Sequence, residues 1–453
     1  MKRSAASALA RSPGLLHWVL PLMLVPLTLT VLLSGRDLSH VMIEMTRGGG
    51  MYLHPAIAWI QRCISLVLLL ISAEWLLSHF AAHRELPAPV LTASFLTFWG
   101  ATVAAPALFG AHPQLSHEYL YSLVLGIAAL LAQPHDRERV VGAVRSALLV
   151  FLLAGVAMAV VKPSMVLDMN YRQGLLPGMP RFAGLAAHAV ALGIFAQTFL
   201  LCLWAQPFRR RWLNVLAWTL GLGVLFATQS KTSWIGMILC SAAMLAVHHG
   251  GPAWRRVGNP RDSSAGIVTC LAVIAAVVSL LALLLVTDVA AEAMGYLQTP
   301  DGAQLATLTG RDRIWEIAME EWHASPVFGY GPGLWDDQFR AAIHMPYATH
   351  GHNQFMDTAA RSGAIGVAAL ALYSIVLLVV SVRAAKATGG LSVALFIALA
   401  VRSISEVPLL IFGYGTELFT HLLLIITVAS AARSPRAVRA APAQRQPSHR
   451  ALA

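Results

Sequence analysis

The chain has 453 residues, of which 57% are hydrophobic and 12% charged, and its formal net charge is +11. Its mean hydropathy is +0.66. A soluble domain carries roughly 25% charged residues, so this composition excludes a water-soluble globular protein, and apolar runs recurring from end to end mark a polytopic membrane protein.

Taken in chain order, apolar runs of about 20 residues predict about twelve membrane spans. Their limits are 14–35, 55–80, 89–110, 116–132, 140–161, 183–206, 212–228, 232–249, 264–288, 364–382, 389–405 and 410–432. The first follows Met1-Lys2-Arg3 and resembles a secretion signal. It is long enough to span and no clear small-residue cleavage site follows it, so it is read as a retained helix. Arg62 and Glu74 interrupt the second span and Arg402 the eleventh, and the fourth is short. Cys63, Cys202, Cys240 and Cys270 all fall inside spans, which makes them packing residues rather than a disulfide framework or a metal site.

Basic residues sort by side. Lys2, Arg3, Arg11, Arg84, Arg137, Arg139, Arg145, Arg209 to Arg211, Arg255, Arg256, Arg261, Arg383, Lys386 and the arginines from Arg433 onward all face one side of a twelve-span arrangement. The positive-inside rule makes that side the cytoplasm and puts both termini there. The charge is therefore a topology signal, and no nucleic-acid partner is expected. The exceptions on the outer side are Arg36, Arg47, Lys162, Arg172, Arg181, Lys231, Arg311, Arg313, Arg340 and Arg361, and each needs a separate reason. The expected organisation is a bundle of about nine spans over 1–288, an outer loop over 289–363 containing short helices, a bundle of about three spans over 364–432, and a disordered cytoplasmic tail over 433–453. No internal repeat or matched pair of broken helices suggests a transporter.

Within the outer loop, Arg311-Asp312 opens a helical pattern in which Ile314, Trp315, Ala318, Met319 and Trp322 recur at helical spacing. An amphipathic helix on the membrane surface or capping the bundle fits that pattern. Arg311 precedes the apolar face, which frees it to point into a cavity. Gly329-Tyr330-Gly331-Pro332-Gly333 is a sharp bend without a phosphate-loop pattern.

The stretch THGHNQFMDTAARSGAIG, from Thr349 to Gly366, follows. Asn353, Asp357 and Arg361 are spaced by four and share a helix face, so Asp357 and Arg361 can pair. His352 sits at the start of that helix, where the positive end of the helix dipole favours a neutral imidazole, the form a general base requires. A capped re-entrant helix with a solvated histidine is the alternative. His350-Gly351-His352 lacks a third ligand in sequence, so no metal is expected. Lys231 is held at the membrane boundary by the very short turn Ser230-Lys231-Thr232-Ser233. Arg181 precedes the sixth span, with His188 one turn inside, and Arg172 nearby reads as a snorkelling anchor. Arg181, Lys231 and Arg311 converging beside His352 would suit an anionic lipid-linked substrate, since arginine forks and a lysine point charge both bind phosphate.

These residues resemble the O-antigen ligase and polymerase superfamily, the bacterial membrane glycosyltransferases that act on polyprenyl-diphosphate-linked glycans. The resemblance rests on His352-Asn353, nine residues, Gly363, two residues and Gly366, together with TGRDRIW…SPVFGYGPGLW, RFAGLAAHAVALG from Arg181, and QSKTSW. It implies an all-α, GT-C-like integral membrane fold in the bacterial inner membrane with the active site facing the periplasm. It implies inverting transfer of a glycan from undecaprenyl diphosphate without metal or other cofactor. His352 would be the catalytic base, Lys231, Arg311 and Arg181 would hold the diphosphate, and Asn353, Asp357 and Arg361 would support the site. The acceptor would be lipid A-core for a ligase, or another lipid-linked repeat unit for an O-antigen or exopolysaccharide polymerase. Lys231 stands where ligases usually carry arginine, which leaves the subtype open. A non-catalytic polysaccharide export component is the alternative from another class.

Overall fold

In the computed structural model the described residues are 14–38, 55–171, 178–257, 311–346, 348–413 and 415–432. The expected ninth span, Arg47, Arg172, the start of the outer loop and the C-terminal tail lie outside them. The described chain is helical apart from one antiparallel pair of two-residue strands, β1 (Leu167–Asp168) and β2 (Arg181–Phe182).

The helices are α1 (Val19–Leu33), α2 (Pro55–Ala81), α3 (Pro89–Phe109), α4 (Tyr119–Leu130), α5 (Pro134–Val161), α6 (Ala189–Ala205), α7 (Arg211–Ala227), α8 (Lys231–Val257), α9 (Asp312–Ala324), α10 (Asp337–Ala342), α11 (Gln354–Ala384), α12 (Leu391–Arg402) and α13 (Thr416–Ala431). Among the described residues, six helices are long and apolar enough to cross a membrane, and five more are apolar but shorter. Together they account for every expected span except the ninth. The core is a continuous apolar cluster in which Phe95, Phe195, Phe199, Phe419 and Tyr373 are fully buried. Tyr373 on α11 meets His421 of α13 through a hydrogen bond of 2.6 Å.

Loops meet in two separate groups. Arg36 contacts Met165, Gly184, Ala186 and Ala187, Ala111 and His112 pair with Gly329 and Tyr330, Arg181 reaches Thr228, and Arg311 reaches Ser405. In the other group, Arg137 bonds Ala387 O and Arg145 bonds Gln206 O.

Two helix starts depart from the sequence reading, and both departures have a cause. The sixth span begins at Ala189 and not near 183 because Arg36 holds the preceding segment in a non-helical path. Its guanidinium donates to Met165 O at 2.8 Å, Ala186 O at 2.7 Å, Ala187 O at 3.0 Å and Gly184 O at 2.6 Å. Burial pushes Arg36 down to about 10, and backbone carbonyls rather than a carboxylate offset that desolvation. Arg36 thus violates the charge rule for a structural reason. The last span begins at Thr416 and not near 410 because residues 407 to 413 form irregular backbone packed inside the protein, with Val407, Leu409 and Ile411 buried. Non-helical chain at membrane depth is tolerated where protein covers it.

The helix that follows His352 is continuous with the tenth expected span but breaks at Gly363, where φ is 62° and ψ is −162°. The break is filled by the glycine-rich bend. Tyr330 N and Gly331 N donate to Ala360 O and Arg361 O, while Ala364 N and Ile365 N donate to Pro326 O and Val327 O. A Cβ on Gly363 would lie 2.3 Å from the backbone carbon of Val327, and one on Gly329 would lie 2.4 Å from that of Arg361. A π turn at Gly100–Ala104 of α3 lies against the same place, and the Thr102 carbonyl it frees accepts from Ser362 Oγ at 3.0 Å. Gly363→Ala should therefore destabilise the protein by about 3 kcal/mol or more, since it combines a disfavoured φ with a backbone clash. Gly100→Ala, whose Cβ meets nothing within 4 Å, should be neutral. Thermal unfolding of the two variants in detergent checks this.

Candidate active site

The amphipathic helix α9 caps the bundle. Its Ile314, Ile317 and Ala318 pack with Leu334, Trp335, Phe339 and Met345 in a small second core that leans on Ala360 of α11. Arg311 is its N-cap residue and stays clear of that core. Trp315 Nε1 donates to Gly351 O at 2.9 Å, which pins the segment before α11 from above.

The start of α11 is fixed from several sides. Asn353 is its N-cap, with its side-chain oxygen accepting from Met356 N at 3.1 Å. Asn353 Nδ2 donates to Ile404 O at 3.2 Å, and Gln354 N donates to Ser403 O at 2.9 Å. Leu409 N donates to Gln354 Oε1 at 2.8 Å. Asp357 accepts from Gly351 N at 2.8 Å through one oxygen and from Arg361 Nε at 3.0 Å through the other. Arg361 also donates to Pro332 O at 2.8 Å. The expected Asp357–Arg361 pair is thus present and buried, and it ties the His352 segment to the glycine-rich bend. His352 itself has φ of 46°, a region few non-glycine residues occupy.

These stitches bring the α12–α13 connection against His352, and with it Glu406, which the sequence reading missed. Glu406 Oε2 lies 3.4 Å from His352 Nδ1 and 3.3 Å from His350 Nε2, and Glu406 Oε1 lies 3.4 Å from Arg311 Nη2. Burial alone would raise the Glu406 carboxyl. The hydrogen bond from His352 and the charges of His350, His352 and Arg402 outweigh it and hold the group down to about 2. The carboxylate therefore stays ionised, and a backbone hydrogen bond sets the proton on one of the two rings. His350 Nδ1 accepts the His352 backbone N–H at 3.1 Å, so the neutral His350 ring carries its proton on Nε2, toward Glu406. His352 turns Nδ1 to the same oxygen at 3.4 Å, and with its proton there Nε2 would keep a lone pair. A carboxylate on one nitrogen and a free lone pair on the other is the arrangement of a histidine general base.

Of the expected cations, Arg311 contacts this carboxylate and Arg181 acts on it electrostatically. Arg311 Nη1 donates to Ser405 O at 2.7 Å. Lys231 is the first residue of α8, and its neighbour Thr232 bonds Ser405 Oγ at 3.0 Å. Arg181 stacks on Tyr171 at 4.4 Å and donates to Thr228 O at 2.9 Å. Burial works against the charge on Arg181 and on Arg311, and Glu406 offsets it in both. Burial also works against the charge on Lys231, and the charge of Arg181 adds to that.

The donor atoms of His350, His352 and Glu406 lie within 4.8 Å of one another, so the third metal ligand that the sequence lacked is supplied by Glu406. The set fits an ion poorly. A metal-bound imidazole turns its other N–H toward an acceptor, whereas His350 Nδ1 accepts a backbone N–H. Arg311 also already faces the same carboxylate. The cluster is arranged to handle a proton.

Burial, and then the His352 ring, push His350 down to about 4 against the pull of Glu406. A folded-state value below the ordinary 6.5 means stability that is complete above pH 6.5 and lost as pH falls toward 4, on the order of 3 kcal/mol. The thermal midpoint should drop over that window, and His350→Asn, which keeps an acceptor for the His352 N–H, should flatten the drop.

Residues 215–371 match the family model described as O-antigen ligase. The match supports the O-antigen ligase and polymerase superfamily. It takes in Lys231, Arg311, His352, Asn353, Asp357 and Arg361, and leaves Arg181 and Glu406 outside. No curated protein matches the chain at a significant level.

Proposed function

We propose that the protein is an inverting membrane glycosyltransferase of O-antigen ligase type. It moves a glycan from undecaprenyl diphosphate to an acceptor hydroxyl in cell-surface polysaccharide assembly, on the periplasmic face of a bacterial inner membrane. The observation that carries the proposal is the cluster of His352, Glu406 and Arg311, of which His352 and Arg311 lie within the segment that matches the O-antigen ligase family.

The acceptor oxygen attacks the anomeric carbon of the first sugar as the bond from that carbon to the diphosphate oxygen breaks. His352 Nε2 takes the hydroxyl proton, and Glu406 stabilises the imidazolium that forms. The electron pair of the broken bond leaves on the diphosphate, where Arg311, Lys231 and Arg181 meet the growing negative charge. The diphosphate is already an activated leaving group, so the reaction calls for neither metal nor nucleotide. An apolar groove of about 430 Å³ supports a lipid-borne donor. It is lined by Val156, Ala159, Leu167, Met179, Pro180 and Phe182 among others, and Arg181 adjoins its wall.

The test is made in the native host with the gene deleted, by sizing the polyprenyl-diphosphate-linked glycans with mass spectrometry. Long polymers stranded on the carrier identify a ligase with a lipid A-core acceptor. Single repeat units identify a polymerase whose acceptor is another lipid-linked unit. Unchanged carrier-linked glycans overturn the proposal.

A further inference from the structure

We propose that Arg402 is a further anion-binding residue of this site, a buried cation beneath Glu406 that takes a phosphate group of the lipid-linked diphosphate. The inference rests on the function proposed above. Arg402 is the last residue of α12 and is 4% exposed. Its closest carboxylate contact is Nη2 to Glu417 Oε1 at 3.6 Å, too long for a strong hydrogen bond. Its Nε and Nη1 have no partner. A buried guanidinium with most of its donors unused is costly unless something else fills them. By contrast, Arg36 is equally buried, and four backbone carbonyls occupy its donors.

Arg402 is also built into the site through the backbone. Its carbonyl accepts from Ser405 N at 3.0 Å and from Glu406 N at 2.8 Å, so the turn that presents Glu406 folds over it. A second group faces the same place. His188, the N-cap of α6, accepts Ala191 N on Nδ1 at 3.2 Å, which leaves the proton of the neutral ring on Nε2 as a donor. His188 has an exposed surface, yet Arg181, Arg402, Glu406 and Glu417 act on it electrostatically. It therefore lies among the same charges as Arg402. The unused N–H groups of Arg402, the Nε2–H of His188 and the Arg181 fork are a donor set for a tetrahedral oxyanion, and the planar guanidinium suits phosphate in particular.

The experiment measures inorganic pyrophosphate binding to the purified full chain in detergent by calorimetry. It compares wild type with Arg402→Gln, Arg311→Gln and Glu417→Gln. Arg402→Gln should weaken binding at least tenfold, and so should Arg311→Gln. Glu417→Gln removes the ion-pair partner and should leave affinity within about twofold or tighten it, because an anion then has less competition for Arg402. The double variant Arg402→Met with Glu417→Gln removes both buried charges, so it carries the test if Arg402→Gln fails to fold. Wild-type affinity in a folded Arg402 variant, with affinity lost in Arg311→Gln, overturns the role of Arg402 and leaves the proposed function standing. Absence of pyrophosphate binding by wild type overturns the diphosphate site and this inference with it.

Discussion

His352→Ala should reduce glycan transfer by about 10²- to 10⁴-fold or more, the range a positioned general base contributes, with the protein still inserted and folded. The structure gives the two halves of that expectation separate grounds. His352 is not in the packed core; its side chain is 23% exposed, and the neighbouring fold is held by groups the substitution leaves in place. Asn353 still caps α11, Gln354 still bonds the α12–α13 connection, and Asp357 still holds Gly351. Alanine keeps the Cβ that histidine has, so the backbone at a φ of 46° meets no new clash. Activity loss with an unchanged thermal midpoint is therefore the expected pair of results. Transfer at the wild-type rate from purified donor and acceptor would remove His352 from the chemistry.

What the sequence discloses about this site follows from how local each signal is. The His352 to Gly366 segment is legible because a helix cap, a face at spacing four and a glycine break all lie within one short stretch. Arg311 is legible because it precedes an amphipathic period it does not join. Lys231 is legible because two apolar runs leave it no room to be elsewhere. Glu406 has no such frame. It is a lone carboxylate in Ser403-Ile404-Ser405-Glu406, between two apolar runs, and its partners His350, His352 and Arg311 are distant in sequence. Its only sequence signal is a charge that an apolar connection does not need. Arg402 reads as an interruption of a span for the same reason. The helix starts at Ala189 and Thr416 were hidden because buried irregular chain is as apolar as the helix that follows it, so hydropathy cannot separate the two. In the first case the decisive contact comes from Arg36, on a different loop.

Glu406→Gln should lower transfer almost as far as His352→Ala, by about 10²- to 10⁴-fold, by analogy with the amide replacement of a triad carboxylate. The amide keeps the volume of the side chain but loses the charge, and it can present a donor where His352 Nδ1–H needs an acceptor. A ring that moves its proton to Nε2 has no lone pair to offer the acceptor hydroxyl, and an imidazolium formed there has no counter-charge. Because the wild-type carboxyl is held down to about 2, it does not titrate anywhere near neutral pH. Any pH dependence of the wild-type rate across the neutral range therefore belongs to groups other than this carboxyl. Glu406→Asp, which restores the charge on a shorter arm, should recover part of the rate. A structural role alone predicts a different pattern. Glu406 also faces Arg311 and His350, so a purely structural carboxylate would show its loss in the thermal midpoint, with kcat restored wherever the variant is folded. If folded Glu406→Gln turns over within about threefold of wild type, His352 does not depend on this carboxylate, and the base must be oriented in some other way.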